Sequence, residues 1–135
     1  MTSLSLPVPL GDAADRITIL EIKKERIADP KKHANVVSEL DRVSKPFFAA
    51  IARSPSFDAL FAELKKINEV LWRVEDDIRD CEARGDFGPE FIRLARAVYI
   101  TNDERARVKR AINELLGSDL VEEKSYADRA PRREG

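Results

Sequence analysis

The clearest pattern in the chain is a run of apolar residues spaced alternately by three and four positions between residues 57 and 81. The run consists of Phe57, Leu60, Leu64, Ile67, Leu71, Val74, Ile78 and Cys81. This heptad spacing keeps one apolar seam on a single helical face, so it predicts a long helix over residues 57–83 that packs against a partner helix. Gly85 predicts the end of this helix, because glycine readily adopts the left-handed conformation that closes helices.

Two shorter helices are predicted before this seam. The first should begin at Gly11, with Asp12 as its N-terminal cap, and end before Pro30. Its segment ITILEIK also alternates like a strand, but the density of charged residues that follows favours a helix. The second should cover residues 32–52, with a kink or a restart at Pro46, where the proline ring removes a backbone donor.

A fourth helix is predicted over residues 89–116. Pro89 suits the first position of a helix, and Gly117 suits the position just after its end. Both ends of the segment are apolar, whereas its middle is polar. Residues 101–103, Thr-Asn-Asp, could cap a new helix, so a local break is one alternative there.

These elements predict an all-α, antiparallel helical bundle built on a long hairpin of the third and fourth helices. Residues 1–10 should form an extended arm, residues 11–118 the bundle, and residues 119–135 a polar tail whose last ten residues are disordered. The two shorter helices should pack across the hairpin. They are too short to cover it fully, so a homodimer is expected to bury the remaining apolar surface.

Composition and charge exclude several classes of protein. The formal net charge of −1 over 135 residues offers no basic face for nucleic acid. Pro7 and Pro9 interrupt the only apolar stretch near the start, which therefore does not resemble a signal peptide, and no apolar run is long enough to span a membrane. We therefore expect a cytoplasmic protein. With a single cysteine, Cys81 in the seam, and a single histidine, His33, the sequence predicts neither disulfides nor a metal site.

A polar stripe runs beside the seam. On the third helix it comprises Asn68, Trp72, Glu75, Arg79 and Glu82, and the hairpin turn should place it opposite Arg96, Tyr99, Asn102, Arg105 and Lys109 of the fourth helix. One interpretation is a structural network in which Glu75 and Arg79 pair with Arg96, Tyr99 and Arg105. The other is a pocket for an anionic ligand. Carboxylates one turn apart could instead suggest Mg²⁺ binding, but most such pairs are solvated helix faces, so no cofactor is predicted.

The tail is a candidate docking segment. Its residues of interest are Leu120, Glu122, Glu123, Lys124 and Tyr126. Two apolar anchors, Leu120 and Tyr126, flank charged residues in a stretch without Gly or Pro. We expect these anchors to lie on the bundle or beside the extended arm, which would leave the carboxylates available to a protein partner.

Several segments together resemble a family of short bacterial proteins known only as a domain of unknown function. These segments are GDAADRITILEIKKERI, NEVLWRVEDDIRDCEARGDFGPEF, LARAVYITNDERARVKRAIN and GSDLVEEKSYA. The resemblance covers residues 5–127, although the family's usual opening motif is altered here. It implies no activity and no cofactor, but it implies that Asp103, Asn113 and Ser125 belong with the stripe and tail residues above. It also associates the protein with glycosyltransferases of surface-polysaccharide synthesis.

Two hypotheses of function follow. The favoured one is a non-enzymatic helical accessory protein that binds a protein partner, with no catalytic residues. The alternative, by analogy with bundles of the chorismate-mutase type, is a small all-α enzyme or a binder of an anionic small molecule. Unpartnered Arg96, Asn102, Arg105 and Lys109 around a pocket would favour the alternative. Closed ion pairs to Glu69, Glu75 and Glu82 would favour the accessory protein.

Overall fold

The computed structural model describes residues 2–126, which contain four helices and no strand. The helices are α1 (Leu10–Arg26), α2 (Pro30–Ala50), α3 (Pro55–Arg84) and α4 (Pro89–Leu116). The predicted all-α bundle on an α3–α4 hairpin is thus confirmed. The expectation of a disordered end falls almost entirely on residues 127–135, which lie outside the described part of the chain.

The ends of the hairpin helices follow the predicted chemistry. Ser54 caps α3 by accepting a hydrogen bond from the backbone N–H of Phe57. Gly85 ends α3 and Gly117 ends α4, each in the left-handed conformation with φ of 65°. Pro89 is the first residue of α4, where its missing N–H has no helical partner to lose.

One local expectation was wrong, and two alternatives that the sequence left open, a restart of the second helix and a break in the fourth, are not observed. The side chain of Asp12 does not cap α1, which begins at Leu10 with Pro9 before it. The carboxylate of Asp12 instead faces an ammonium group on α4, described below. Residues 30–50 form one helix that contains Pro46, without a restart. Residues 101–103 lie inside an unbroken α4, so their polar side chains project from the helix rather than cap a new one.

Helix α1 is the element that joins the bundle together. It packs against α2, α3 and α4, and its Ala14 and Ile17 lie in the main core with Leu64 of α3 and Ile112 of α4. Helix α2 packs along α1, so it does not cross the hairpin in the way the sequence suggested. It reaches α3 near its own C-terminal end through aromatic rings.

The aromatic cluster at this junction joins α2 to the start of α3. Phe47 and Phe48 of α2 lie 6.0 Å and 6.3 Å from the ring of Phe57. Phe48 also lies 6.0 Å from Phe61, edge to face. Aromatic rings at these distances add favourable contacts beyond simple area burial, so the cluster fixes the α2–α3 connection.

The far end of the hairpin, residues 80–97, is called the hairpin tip below. Within residues 2–126, no ion pair and no side-chain hydrogen bond links the tip to another helix. Cys81 is buried there, as the seam predicts, and so is Leu94 of α4, whereas Phe87 and Ile92 are each more than half exposed. The rest of the helical region, the bundle base, contains all the polar links between helices.

Candidate functional site

A buried polar network lies where α1 crosses the hairpin. Asp15 of α1 accepts hydrogen bonds at its Oδ1 from Asn68 Nδ2 of α3 and from Arg105 Nε of α4, each at 2.9 Å. Its Oδ2 accepts a second bond from Nη2 of Arg105, which makes the pair bidentate. The carboxylate therefore ties three helices together at one point.

Thr18 completes this network. Its hydroxyl donates to the Asp15 backbone carbonyl at 2.7 Å and accepts from Asn68 Nδ2 at 2.9 Å. Both N–H groups of the Asn68 amide are thus used, and Asp15, Thr18 and Asn68 are all buried. Such completeness matters because a buried charge is costly unless its partners and its remaining hydrogen bonds are all present.

The guanidinium of Arg105 makes most of its hydrogen bonds within this network. Hydrogen bonding with the Asp15 carboxylate raises the pKa of Arg105 above its ordinary value, and burial opposes that effect. Its Nη1 also lies 3.4 Å from Asn102 Oδ1. Arg105 therefore has mainly a structural role. The outer edge of its guanidinium also borders the two clefts described below.

Lys109, one turn further along α4, lies between two carboxylates. Its ammonium is 3.1 Å from Asp12 Oδ1 of α1 and 3.1 Å from Glu122 Oε2 of the tail. The side chain of Lys109 is only 12% exposed, so its charge depends on these partners. Asp12 Oδ1 is shielded from solvent and accepts no hydrogen bond from any of residues 2–126, so its contact with Lys109 is an ion pair alone.

The closest approach of α1 to α4 is at Gly11. A Cβ atom added there would overlap the backbone oxygen of Lys109, closer than any stable contact. The Gly11 N–H donates to Asn113 Oδ1 at 2.6 Å, and both residues are buried. Asn113 thereby satisfies a first-turn donor of α1 that lacks a partner within its own helix.

The tail crosses α4 beside this contact, held by charge. Glu122 pairs with Lys109 and, through its other oxygen, with Lys124 at 3.0 Å. Glu123 pairs with Arg110 at 3.3 Å. Hydrogen bonds from Lys124 and then from Lys109 lower the pKa of Glu122 below the ordinary glutamate value, and the same contact with Glu122 raises the pKa of Lys124.

This arrangement reverses the expected roles of the tail residues. Leu120 and Tyr126 were expected to be the anchors, but they are 43% and 79% exposed. The carboxylates of Glu122 and Glu123, expected to be available to a partner, make the contacts with α4. Lys109 is nearly buried and already faces Asp12, and Glu122 of the tail is its second carboxylate partner.

A large cleft of about 880 Å³ lies between α4 and the tail. It is lined by Val98, Tyr99, Asn102, Asp103, Arg105, Ala106, Lys109, Glu122, Lys124 and Tyr126. Its size lies in the upper part of the range of small-molecule sites. The cleft brings together four stripe residues of α4 and three of the predicted tail residues, a combination that the sequence did not anticipate.

A small cleft of about 330 Å³ lies on the other side of Arg105, between α1 and the hairpin. It contains the α3 stripe residues Asn68, Trp72, Glu75 and Arg79 together with Asn102 and Arg105 of α4. Trp72 is half-buried, and the guanidinium of Arg26 lies 5.9 Å from its ring centre. Arg105 and Asn102 thus form the partition between the two clefts.

The predicted pairing of Glu75 and Arg79 with α4 was wrong. Among residues 2–126, neither side chain makes an ion pair or a hydrogen bond with Arg96, Tyr99 or Arg105. Arg105 is engaged by Asp15 instead. Arg96 is exposed and lies two positions from buried Leu94, so it projects from the opposite face of α4. Glu82 is also exposed and borders neither cleft.

The residues that sequence reasoning missed are the α1 partners, Asp12 and Asp15. One signal was present. Gly11, Asp15, Thr18 and Ile22 share one face of α1 at spacings of four, three and four, so two polar residues interrupt an otherwise apolar stripe. A carboxylate in such a place predicts a cationic partner on another helix. The middle of α4 contains four cations, of which Arg105 and Lys109 pair with α1.

Neither metal ligands nor a membrane span is found in the described residues. Residues 2–126 contain no group of three or more His, Cys, Asp and Glu side chains placed to hold a metal ion. None of the helices there combines the length and the apolar character required to cross a bilayer. Cys81 is buried in the hairpin tip as predicted, with Arg84 Nη2 3.6 Å from its sulfur.

Over residues 2–126, fold and site define an all-α bundle of four helices, in which ion pairs join α1 to the hairpin and the tail borders a charged cleft. Over residues 5–132 the chain matches DUF6165, a family of unknown function, and it belongs to that family. The resemblance to a family of unknown function is therefore confirmed. Comparison with curated proteins and with solved structures gave no significant match.

Proposed function

We propose that the protein is a cytoplasmic helical accessory protein that binds a protein partner through its arm, residues 2–9. The observation that carries this proposal is the exposure of the arm's large apolar side chains. Leu4, Leu6 and Val8 are 80%, 67% and 51% exposed. Large apolar side chains exposed side by side on a short extended segment are typical of a binding surface, because water solvates them poorly.

The arm has the pattern of a strand that adds to the edge of another sheet. Successive side chains of an extended chain point to opposite faces, so Leu4, Leu6 and Val8 share one face. The backbone N–H groups of these residues also share one edge. The other edge lacks donors at Pro7 and Pro9, so only one edge can pair. An arm of this kind could join the sheet of a partner without recruiting further strands.

The arm and the tail leave the bundle at the same place. The Leu10 N–H donates to the Ser118 hydroxyl at 3.0 Å, and that hydroxyl donates to the Leu120 carbonyl at 2.6 Å. Leu120, two residues after Ser118, is 43% exposed, which adds apolar surface close to the start of the arm. A partner that binds the arm could therefore contact the tail as well. Glycosyltransferases of surface-polysaccharide synthesis are the first partner class to test, as the family resemblance implies.

The experiment compares two proline substitutions in the arm. Leu6→Pro removes a donor from the open edge, whereas Ser5→Pro removes one from the edge that Pro7 and Pro9 already block. Proteins from an extract of the source cells are captured on each variant and quantified by mass spectrometry, with a synthetic peptide of residues 2–10 as competitor. Leu6→Pro should abolish peptide-competed capture, Ser5→Pro should retain it, and Leu6→Ala should weaken it.

Each outcome bears on the proposal. Equal capture by Leu6→Pro and Ser5→Pro would exclude strand addition. If no captured protein is displaced by the arm peptide, the arm is not the docking element.

We also propose that a homodimer forms through the hairpin tip. Phe87 and Ile92 are exposed there by more than half, and the ring centre of Phe87 lies 5.3 Å from that of Phe91. Sedimentation equilibrium at micromolar concentration should give twice the chain mass. The Phe87→Ser/Ile92→Ser variant should give the mass of one chain, and a wild-type monomer would end this idea.

A further inference from the structure

The carboxylate of Glu122 is held through both of its oxygens by two different ammonium groups. Lys109 Nζ is 3.1 Å from Oε2, and Lys124 Nζ is 3.0 Å from Oε1. Two cations, one on each oxygen of a planar anion, form a site that is complementary in shape and charge to a carboxylate. The tail therefore places a carboxylate of this chain at the wall of the large cleft.

The two cations differ in how firmly they are placed. Lys109 lies on α4, is nearly buried, and is held on its inner side by Asp12. Lys124 lies on the tail, where it is half exposed and 6.0 Å from the ring of Tyr126. The tail is attached through partly exposed ion pairs, and such pairs contribute little each. Its carboxylate can therefore be exchanged for another at low cost while Lys109 stays in place.

The rest of the large cleft suits an organic molecule rather than an inorganic ion. Its walls include the side chains of Val98 and Ala106 and the rings of Tyr99 and Tyr126. Exposed tyrosine rings offer flat apolar surface with a polar end, which favours packing against a flat or aromatic group. Arg105 is already engaged by Asp15, so the charge available to a ligand is that of Lys109 and Lys124.

We propose that the large cleft binds a small aromatic carboxylate, whose carboxylate takes the place of Glu122 between Lys109 and Lys124. The tail carboxylate is then a built-in competitor that occupies the site in the absence of ligand. This inference goes beyond the docking function proposed above and uses different residues, because the arm takes no part in it.

The test is a titration with phenylacetate followed by two-dimensional NMR. In Glu122→Gln the competitor loses its charge, so binding of phenylacetate should be roughly tenfold tighter than in the wild type. Glu123→Gln is the matched control: it removes the same charge one residue away but leaves Lys109 and Lys124 paired with Glu122. Its affinity should equal that of the wild type, and shifted resonances should include those of Tyr99 and Asn102.

Two further measurements test which charges the site needs. Glu122→Gln/Lys124→Met changes only the exposed tail and should lose most of the gained affinity, whereas Lys109→Met tests the α4 cation. Phenethylamine, with the same ring and the opposite charge, should not bind. The proposal is overturned if Glu122→Gln binds phenylacetate no better than Glu123→Gln, or if phenethylamine shifts the same resonances equally.

Discussion

The bundle base and the hairpin tip are held together in different ways. At the base, α1 is joined to the hairpin by polar links at Gly11, Asp12 and Asp15, each to a different residue of α4. At the tip, the ion pair that is present, between Glu90 and Arg93, lies within one helix. Interhelical contact there comes from the apolar seam, with Cys81 and Leu94 buried.

This difference has a physical reason. The register of α3 against α4 is set by the four-residue turn of residues 85–88 and by a seam of fixed period, so it needs no polar specification. Helix α1 is separated from the hairpin along the chain by α2, and an apolar stripe alone would allow it to slide. Buried polar pairs prevent such sliding, because their hydrogen bonds and ion pairs can form in only one position of α1.

The largest expected effect comes from breaking the network at the base. Asp15→Ala would leave the Arg105 guanidinium without its carboxylate and Asn68 with an unused donor, so we expect a loss of about 3–5 kcal/mol in the free energy of unfolding. Glu90→Ala at the tip removes a fully solvated partner of Arg93 and should leave the unfolding midpoint unchanged. Chemical denaturation of both variants measures the difference. Equal, small losses would show that the Asp15 network does not hold α1.

The next effect compares two glycines that are needed for different reasons. Gly11→Ala would place a Cβ against the α4 backbone at Lys109, so α1 must shift, at a cost of about 1–3 kcal/mol. Gly85 at the tip has open space around it but a positive φ, so Gly85→Ala should cost about 1 kcal/mol from backbone strain alone.

Hydrogen exchange separates these two cases. Gly11→Ala should speed exchange in both α1 and α4, since their contact is disturbed. Gly85→Ala should affect only amides near the turn. An effect of Gly11→Ala confined to the first turn of α1 would contradict the close helix crossing.

The fold was predictable because its determinants are local. The seam from Phe57 to Cys81, the glycines after α3 and α4, and the proline that begins α4 act through periodicity and backbone geometry. The failure at Asp12 shows the limit of that reasoning. An aspartate near a helix start is normally a cap, but here an ammonium on another helix competes for the carboxylate.

The candidate site was only half predictable, because its members come from elements distant in the chain. Asn102, Arg105 and Lys109 stood out in the sequence because they interrupt the apolar stripe of α4 between its two apolar ends. Their partners could not be chosen from α3 alone: the carboxylates belong to α1 and to the tail, 90 residues or 13 residues away in sequence. Only the crossing of α1 and the path of the tail decide those pairs.

The smallest expected effect concerns the attachment of the tail to the base. The pKa of Glu122 in the folded protein is below that of the unfolded chain, because Lys124 and Lys109 stabilise its charged form. A lowered pKa stabilises the attached tail at pH values above the unfolded pKa, and this contribution is lost as pH falls through the folded pKa. The tail should therefore stay attached at neutral pH and detach only below the ordinary glutamate range, about pH 4.

The measurement must report on the tail alone, because Asp12 also faces Lys109 and other carboxylates of the base titrate on acidification. Amide shifts of Lys124 and Tyr126 serve this purpose. In the wild type they should move together with the carboxyl resonance of Glu122, and raising the salt concentration should move that transition to higher pH as screening weakens both ion pairs. In Glu122→Gln these amides should show no such transition, because the side chain at position 122 no longer titrates. A tail that moves at the same pH in this variant would be attached by something other than Glu122, and the large cleft would then have no built-in carboxylate to displace.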